Sequence, residues 1–137
     1  TNYIDWYELD PEIVESCYRH LPKVCSKVKK SNSVNTFWGD AFESIKSIED
    51  SKYDKIFVDL NDDQYCIDLA RKNMKGLKRI LKPGGIITAQ VGSKDKKPKQ
   101  VENWTKVLEK SFGNVKITGA HIPSFDCNWN FASSIMK

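Results

Sequence analysis

Short apolar runs alternate along this chain with stretches whose apolar residues recur every three or four positions, and this alternation constrains the fold most. The runs at 3–9, 34–38, 55–60 and 86–91 predict strands. The stretches between them predict helices, one of which begins at Asp10-Pro11. Strands that alternate with helices are typical of βα units on a parallel sheet. The last two runs, 115–122 and 131–136, lie close enough to predict an antiparallel hairpin.

Turn residues and helical spacing refine this prediction. Pro22 should stop the first helix, and Pro83-Gly84-Gly85 should stop the helix that runs to Lys82. The strand at 55–60 is apolar enough to predict a central position in the sheet. Trp104 and Phe112 lie at helical spacing and should pack in the core, whereas the lysine-rich segment 93–99 should be a solvated loop. The 137 residues show no repeat or linker, which predicts one domain over 1–137.

Composition excludes several classes of protein. The formal charge of +4 is a mild excess spread over the chain, so no nucleic-acid partner is expected. Four scattered cysteines without a CxxC pair suggest neither a zinc site nor a disulfide framework, and therefore no metal. No apolar run approaches a membrane span, and the first five residues lack the pattern of a signal peptide. We therefore expect a reduced, cytoplasmic protein with no membrane partner.

Acidic and amide residues follow the predicted parallel strands at the points where those strands end. Glu8 leaves the first strand, Asp40 the second, Asp59 and Asp62 the third, and Gln90 the fourth. In an open α/β sheet, ligands bind outside the carboxyl ends of the strands. These side chains should therefore converge on one crevice.

The residue types in this set indicate what the crevice could bind. One carboxylate can accept hydrogen bonds from two ribose hydroxyls, and a second can accept one from an adenine amine. Further carboxylates repel phosphate and attract a sulfonium or an ammonium, which favours a cationic nucleoside over a nucleotide. The alternative is that these acids only cap the following helices, an interpretation that fits Asp10 best.

Five motifs carry a resemblance to a known family. They are Tyr-Glu-Leu-Asp-Pro at 7–11, Gly-Asp-Ala-Phe at 39–42, Tyr-Asp-Lys-Ile-Phe-Val-Asp-Leu-Asn-Asp at 53–62, Leu-Lys-Pro-Gly-Gly at 81–85 and Ile-Pro-Ser-Phe at 122–125. Over nearly its whole length the chain resembles spermidine and spermine synthases, the polyamine aminopropyltransferases. The resemblance implies an α/β, Rossmann-like fold of the type found in S-adenosylmethionine-dependent methyltransferases, with a mostly parallel sheet and an antiparallel C-terminal hairpin. It further implies a truncated catalytic domain that lacks the family's first strand and glycine-rich turn.

The resemblance also implies a role for each candidate site residue. Glu8 would hold the ribose of decarboxylated S-adenosylmethionine, Asp40 with Ala41 the adenine, and Asp59 the aminopropyl end. Gln90 would line the same pocket, Asp62 would be the catalytic base toward the amine, and Phe125 and Trp129 would lie on the amine side. The reaction would convert putrescine or a related amine to spermidine and release methylthioadenosine, without a metal. The full-length protein would be a homo-oligomer.

The chain also departs from the family pattern. Asp63-Gln64-Tyr65-Cys66 replaces the family's Pro-x-Gly-Pro-Ala loop, and Phe125 replaces a tyrosine whose hydroxyl would bond the acceptor. The absent first strand would lie between the strands at 3–9 and 55–60. A fragment of a longer product is the favoured explanation, ahead of direct pairing of those two strands or completion by another chain. We expect weak or absent activity from this chain, with a methyltransferase and a catalytically silent homologue as the alternatives.

Overall fold

The strands of the residues that the structure describes belong to two sheets. The computed structural model describes residues 3–61 and 63–137. The chain divides into two compact units, Thr1–Ser47 and Ile48–Lys137, and each has a sheet of its own.

The first unit contains two parallel strands and three helices. Strand β1 (Ile4–Glu8) pairs with β2 (Val34–Trp38), in a register that places Ile4 opposite Val34 and Glu8 opposite Trp38. The helices are α1 (Pro11–His20), α2 (Pro22–Lys29) and the short α3 (Ala41–Ser44), which a 3₁₀ turn (Ile45–Ser47) extends. Parallel pairing of β1 and β2 across the helical segment confirms the predicted βα order.

Proline and aspartate determine where the helices of the first unit begin. The Asp10 carboxylate accepts a hydrogen bond of 2.9 Å from the Glu12 N–H, and Pro11 fixes the first helical residue, so Asp10 is a helix cap as the sequence predicts. Helix α1 ends before Pro22, also as predicted. The sequence analysis missed α2, which Pro22 itself begins, because proline is tolerated in the first turn of a helix.

The second unit contains a four-stranded mixed sheet and two long helices. Its strands are β3 (Tyr53–Val58), β4 (Leu81–Gly92), β5 (Lys116–Ile122) and β6 (Cys127–Ile135), in the order β3-β4-β6-β5. Strand β3 is parallel to β4, and the other pairs are antiparallel, which confirms the C-terminal hairpin. Helix α4 (Gln64–Ile80) precedes β4, and α5 (Pro98–Phe112) follows it.

The predicted central position of the third strand is wrong for the sheet that the structure describes. Strand β3 lies at an edge, with β4 as its neighbour, and its Phe57 side chain is 75% exposed. An apolar run indicates that both faces of a strand can be covered, but it does not specify how many neighbours the strand has. Direct pairing of β1 with β3 is absent among the described residues, since the two strands belong to different sheets.

The Pro83-Gly84-Gly85 turn interrupts the pairing between β3 and β4. Tyr53 pairs with Leu81 and Lys55 with Ile86, so residues 82–85 form a bulge in β4 where the sequence predicted only a helix end. Gly84 donates a backbone hydrogen bond of 2.9 Å to the Met136 carbonyl. The Met136 N–H returns one of 2.8 Å to the Gly85 carbonyl. The turn thereby attaches the end of β6 to the start of β4.

The core of the second unit lies between its two helices and its sheet. Trp104 is 1% exposed and Phe112 4%, which confirms the core positions predicted for both. Helix α4 contributes apolar residues at three- and four-residue spacing, as an amphipathic helix must. These residues are Ile67, Ala70, Met74, Leu77 and Ile80. Over residues 3–61 and 63–137, none of the helices has the length and apolar character needed to cross a membrane.

Candidate active site

Glu8 and Asp40 lie at the same end of the parallel pair β1 and β2. Glu8 is the last residue of β1 and pairs with Trp38, the last residue of β2. The Gly39 N–H then donates a hydrogen bond of 2.9 Å to the Glu8 carbonyl, and Gly39 adopts φ +117°, a conformation that favours glycine. The chain therefore turns directly after β2 and places Asp40 beside the end of β1.

Each of these two carboxylates has one local backbone partner. Asp40 Oδ1 accepts a hydrogen bond of 2.8 Å from the Phe42 N–H and so caps α3. Glu8 Oε1 accepts one of 3.1 Å from the Asp10 N–H. The capping interpretation thus holds for Asp40, but it accounts for only one of its two oxygens. Ala41, also predicted at this site, is the first residue of α3 and is half-buried.

Asp59 follows β3 directly, at the carboxyl end of that strand. Its side chain is exposed and makes no hydrogen bond or ion pair with any residue in 3–61 or 63–137. Asp62, the predicted catalytic base, lies outside the described residues. Asp63 caps α4, because its Oδ1 accepts a hydrogen bond of 2.8 Å from the Cys66 N–H. Sequence reasoning missed this cap, although an aspartate just before an apolar helical stretch is a recognised helix start.

Gln90 is held in place by two hydrogen bonds. Its Oε1 accepts a bond of 2.6 Å from Trp129 Nε1, and its Nε2 donates to the Leu60 carbonyl. The ring of Phe125 lies 4.5 Å from that of Trp129, tilted by 42°. The structure therefore brings three predicted site residues together beside the end of β3. We call Leu60, Gln90, Phe125 and Trp129 the Gln90 cluster.

The lysine-rich segment 93–99 is tied to the turn that carries Phe125. Lys96 Nζ donates a hydrogen bond of 2.9 Å to the Phe125 carbonyl, and the Lys94 N–H donates one of 2.8 Å to Asn130 Oδ1. Ser93 is 2% exposed, so the predicted solvated loop is wrong at its first residue. The loop is also shorter than predicted, because α5 begins at Pro98.

The predicted site residues thus fall into two groups. Glu8, Asp40 and Ala41 belong to the first unit, and Asp59 and the Gln90 cluster to the second. Their convergence on one crevice stays a prediction. No group of three metal-ligating side chains occurs within residues 3–61 and 63–137.

Comparison with known proteins relates this arrangement to one family. The family model of the spermine/spermidine synthase domain matches residues 2–137. A polyamine aminopropyltransferase from Prochlorococcus marinus strain MIT 9215 is 26% identical over 136 residues, which are 96% of this chain and 48% of that protein. This chain spans about half the length of the curated relatives it matches.

Two solved structures share the fold. Spermidine synthase from Thermotoga maritima superposes with a TM-score of 0.84 at 13% identity, over 99% of this chain and 46% of that one. A spermidine synthase in complex with the transition-state analogue AdoDATO gives 0.86 at 12% identity, over 100% of this chain and 47% of that one. These matches confirm the predicted α/β, Rossmann-like fold class.

Proposed function

Because this chain belongs to the spermine/spermidine synthase family, we propose that it carries the site of an aminopropyl transfer. The donor would be decarboxylated S-adenosylmethionine and the acceptor putrescine or a related amine, giving spermidine and methylthioadenosine. One observation supports this most: three strands, each paired in parallel with a neighbour, carry acidic residues at or just beyond their carboxyl ends. These residues are Glu8, Asp40 and Asp59.

The proposal assigns each of these acids a task that its surroundings permit. Glu8 is half-buried and retains one carboxylate oxygen for a ribose hydroxyl. Asp40 retains one for the adenine amine, since Phe42 occupies only its Oδ1. Asp59 is exposed and faces no cation that would compete for it among the described residues, so it can attract the sulfonium or the aminopropyl ammonium.

In the Gln90 cluster, Phe125 and Trp129 would form the acceptor side of the site, and Gln90 would line the donor pocket beside them. The Trp129 N–H and the Leu60 carbonyl fix the orientation of the Gln90 amide, which leaves its second N–H free to donate to a ligand. Phe125 and Trp129 offer apolar ring surface to the methylene chain of a diamine. Since Phe125 has no hydroxyl, other groups would have to bind the second ammonium of the diamine, the one that does not react.

The reaction needs a neutral amine as nucleophile. An alkyl ammonium has a pKa near ~10.4, so the acceptor must first lose a proton. Asp62 would take that proton as a general base. The amine nitrogen then forms a bond to the aminopropyl carbon as the carbon–sulfur bond breaks, and the sulfur retains the electron pair in neutral methylthioadenosine.

A thermal-shift titration tests the donor site. A ligand that binds only the folded state raises the melting temperature, and at 100 times its dissociation constant it adds about 2.7 kcal/mol to the free energy of unfolding. We expect a rise with decarboxylated S-adenosylmethionine that exceeds the rise with S-adenosylmethionine. The reverse preference would favour a methyltransferase.

A matched pair of variants tests the base. Asp62→Asn should abolish aminopropyl transfer in the full-length protein while preserving the thermal shift with the donor, because the amide is nearly isosteric but accepts no proton. Asp95→Asn, at an exposed loop position, is the control and should leave both unchanged. Transfer that survives in Asp62→Asn would remove this residue as the base.

A catalytically silent homologue is the second candidate function. It is favoured by Phe125, which stands where the family carries a tyrosine and is 49% exposed. A silent homologue would give no transfer to any diamine in the full-length protein, and Phe125→Tyr would not restore it.

Two expectations about the whole protein belong to the same proposal. We expect the full-length protein to form a homo-oligomer, which size-exclusion chromatography with light scattering would measure. We also expect a cytoplasmic location, because the four scattered cysteines without a CxxC pair suggest no disulfide framework. Fractionation of cells that express the protein would test that location.

A further inference from the structure

A groove of about 660 Å³ runs between α4 and α5 on the second unit, away from the Gln90 cluster. Six of its lining side chains are cationic, and none of its lining residues is acidic. We call it the basic groove. Its cations are Arg71, Lys72, Lys75, Lys78, Lys106 and Lys110.

The cations are spaced regularly along both walls of the basic groove. Arg71, Lys75 and Lys78 stand at positions i, i+4 and i+7 of α4, so they share one face of that helix. Lys106 and Lys110 stand one turn apart on α5, about 6 Å along its axis. A row of positive charges therefore lines each wall.

Two of these six charges are paired with an acid among the described residues, and four are not. Arg71 pairs with Asp68, and Lys106 pairs with Glu102. Lys78 donates to the Ser111 carbonyl at 2.9 Å. In contrast, Lys72, Lys75 and Lys110 are exposed and form no ion pair within residues 3–61 and 63–137.

Two of the six cations of the basic groove are paired with acids, so the groove concentrates four charges without an ion pair in the described residues, as many as the formal +4 of the whole chain. The net charge alone therefore predicts no nucleic-acid partner, because acids elsewhere offset the lysines in the sum. A bound polymer interacts with the charges within about a Debye length, roughly 8 to 10 Å, and not with the sum over the chain. The local charge is thus the relevant quantity.

We propose that the basic groove binds the phosphodiester backbone of a single-stranded nucleic acid. Rows of lysines without intervening acids suit a polymer that carries one negative charge at each repeat. The groove exposes no aromatic ring on which bases could stack, since Phe112 beside it is 4% exposed, so binding would be independent of base sequence.

The floor of the groove disfavours an acidic peptide helix as the occupant. Its apolar residues, Met74 and Val107, are 3% and 7% exposed. An amphipathic helix binds by laying an apolar face into a hydrophobic groove, and this floor offers almost no apolar surface.

Fluorescence anisotropy with a labelled oligothymidylate of about 20 nucleotides tests the proposal. This length exceeds the roughly 4 to 16 nucleotides that sites for single-stranded nucleic acids typically cover. If six phosphates are neutralised, affinity should fall about 300-fold between about 50 and about 200 mM salt. No binding at the lower salt concentration would overturn the proposal.

Matched triple variants locate the binding. Lys72→Gln, Lys75→Gln and Lys110→Gln together should weaken binding and reduce the salt-dependent loss to about 20-fold, since three phosphate contacts remain. The control combines Lys27→Gln, Lys99→Gln and Lys116→Gln, which change the net charge equally at exposed positions outside the groove. The control variant should bind the oligothymidylate with the same affinity as the unchanged chain. Equal weakening in both variants would refute binding at the basic groove.

A single variant and two competitors test the proposal further. If the triple variant does not fold, Lys75→Gln alone should still reduce the slope of log affinity against log salt by about 0.7. Polyglutamate or anionic phosphatidylserine vesicles, at matched charge, should compete at least tenfold less well than unlabelled oligothymidylate. Equal competition by the peptide or by the vesicles would overturn the choice of nucleic acid. No step uses an aminopropyl donor, so the result is independent of the proposed function.

Discussion

Gly85 is the position in the Leu-Lys-Pro-Gly-Gly motif where the structure leaves no room for a side chain. A Cβ built on Gly85 would lie 2.7 Å from the Leu81 Cδ1 atom, 2.8 Å from the Lys82 carbonyl oxygen and 3.0 Å from the Asp54 carbonyl oxygen. Two of these neighbours are backbone atoms in the bulge between β3 and β4, so a side-chain rotation cannot relieve the clash. Gly85→Ala must therefore shift the strand pairing itself.

The expected cost follows from that overlap. Overpacking of a tight site typically lowers the free energy of unfolding by about 1 to 3 kcal/mol. In a domain of this size, about 2 kcal/mol corresponds to a fall in Tm of roughly 6 to 10 °C. Urea unfolding followed by circular dichroism measures the free energy, and a thermal scan measures the Tm.

Gly119→Ala is the matched control for Gly85→Ala. The same atom added at Gly119 would lie 3.2 Å from the Asn130 side-chain nitrogen and no closer than 3.7 Å to a backbone atom, so a shift of a few tenths of an ångström in one side chain relieves it. We expect a change of less than about 0.5 kcal/mol there. If the two substitutions cost the same, or if Gly85→Ala costs nothing, the steric explanation of the motif is refuted.

Two other substitutions probe single interactions. Trp129→Phe keeps a ring against Phe125 but removes the hydrogen-bond donor to Gln90, so urea unfolding should show a free energy of unfolding lower by about 0.5 to 1.5 kcal/mol. Trp38→Phe, at an exposed position, is the control. Equal losses in the two variants would contradict the role of this bond. The Lys82 ammonium, 2.9 Å from Asp54, holds the pKa of that carboxyl below its ordinary value. The stabilisation that this ion pair gives the folded state is therefore fully present above the ordinary pKa and is lost as the pH falls through the lowered pKa. Because Asp54 is exposed, Asp54→Asn should destabilise the protein only slightly at about pH 7 and less at about pH 3, and a larger effect at the lower pH would refute the assignment.

Local patterns predicted the elements because their causes lie within a few residues. Asp10-Pro11 specifies a helix start through one cap and one fixed φ angle, and the structure has both. The strand at 34–38 has the predicted bounds, since a short apolar run that ends at a glycine is a local property of the sequence. Pro22 shows the limit of such reasoning: the same residue can end one helix and begin another.

The candidate site was predictable only in part. The acids at the ends of β1, β2 and β3 follow from where each strand stops, so the sequence identifies them. The dual bonding of Gln90 does not follow, because Trp129 lies 39 residues away and Leu60 lies 30 residues away along the chain. Such contacts depend on the register of β4 with both β3 and β6, to which no local pattern contributes.

The sequence by itself determined most of the order of strands and helices and the acids at the strand ends, because short-range periodicity and turn chemistry encode them. Its motifs carry the resemblance to the family. Only the tertiary structure decided that β3 lies at a sheet edge and that Trp129 holds Gln90. Only the packing of α4 against α5 brings Lys75 and Lys110 into one groove. The physical reason is the same in each case: strand pairing and helix packing join residues that are distant in the chain, and their free energy depends on surfaces that exist only after folding.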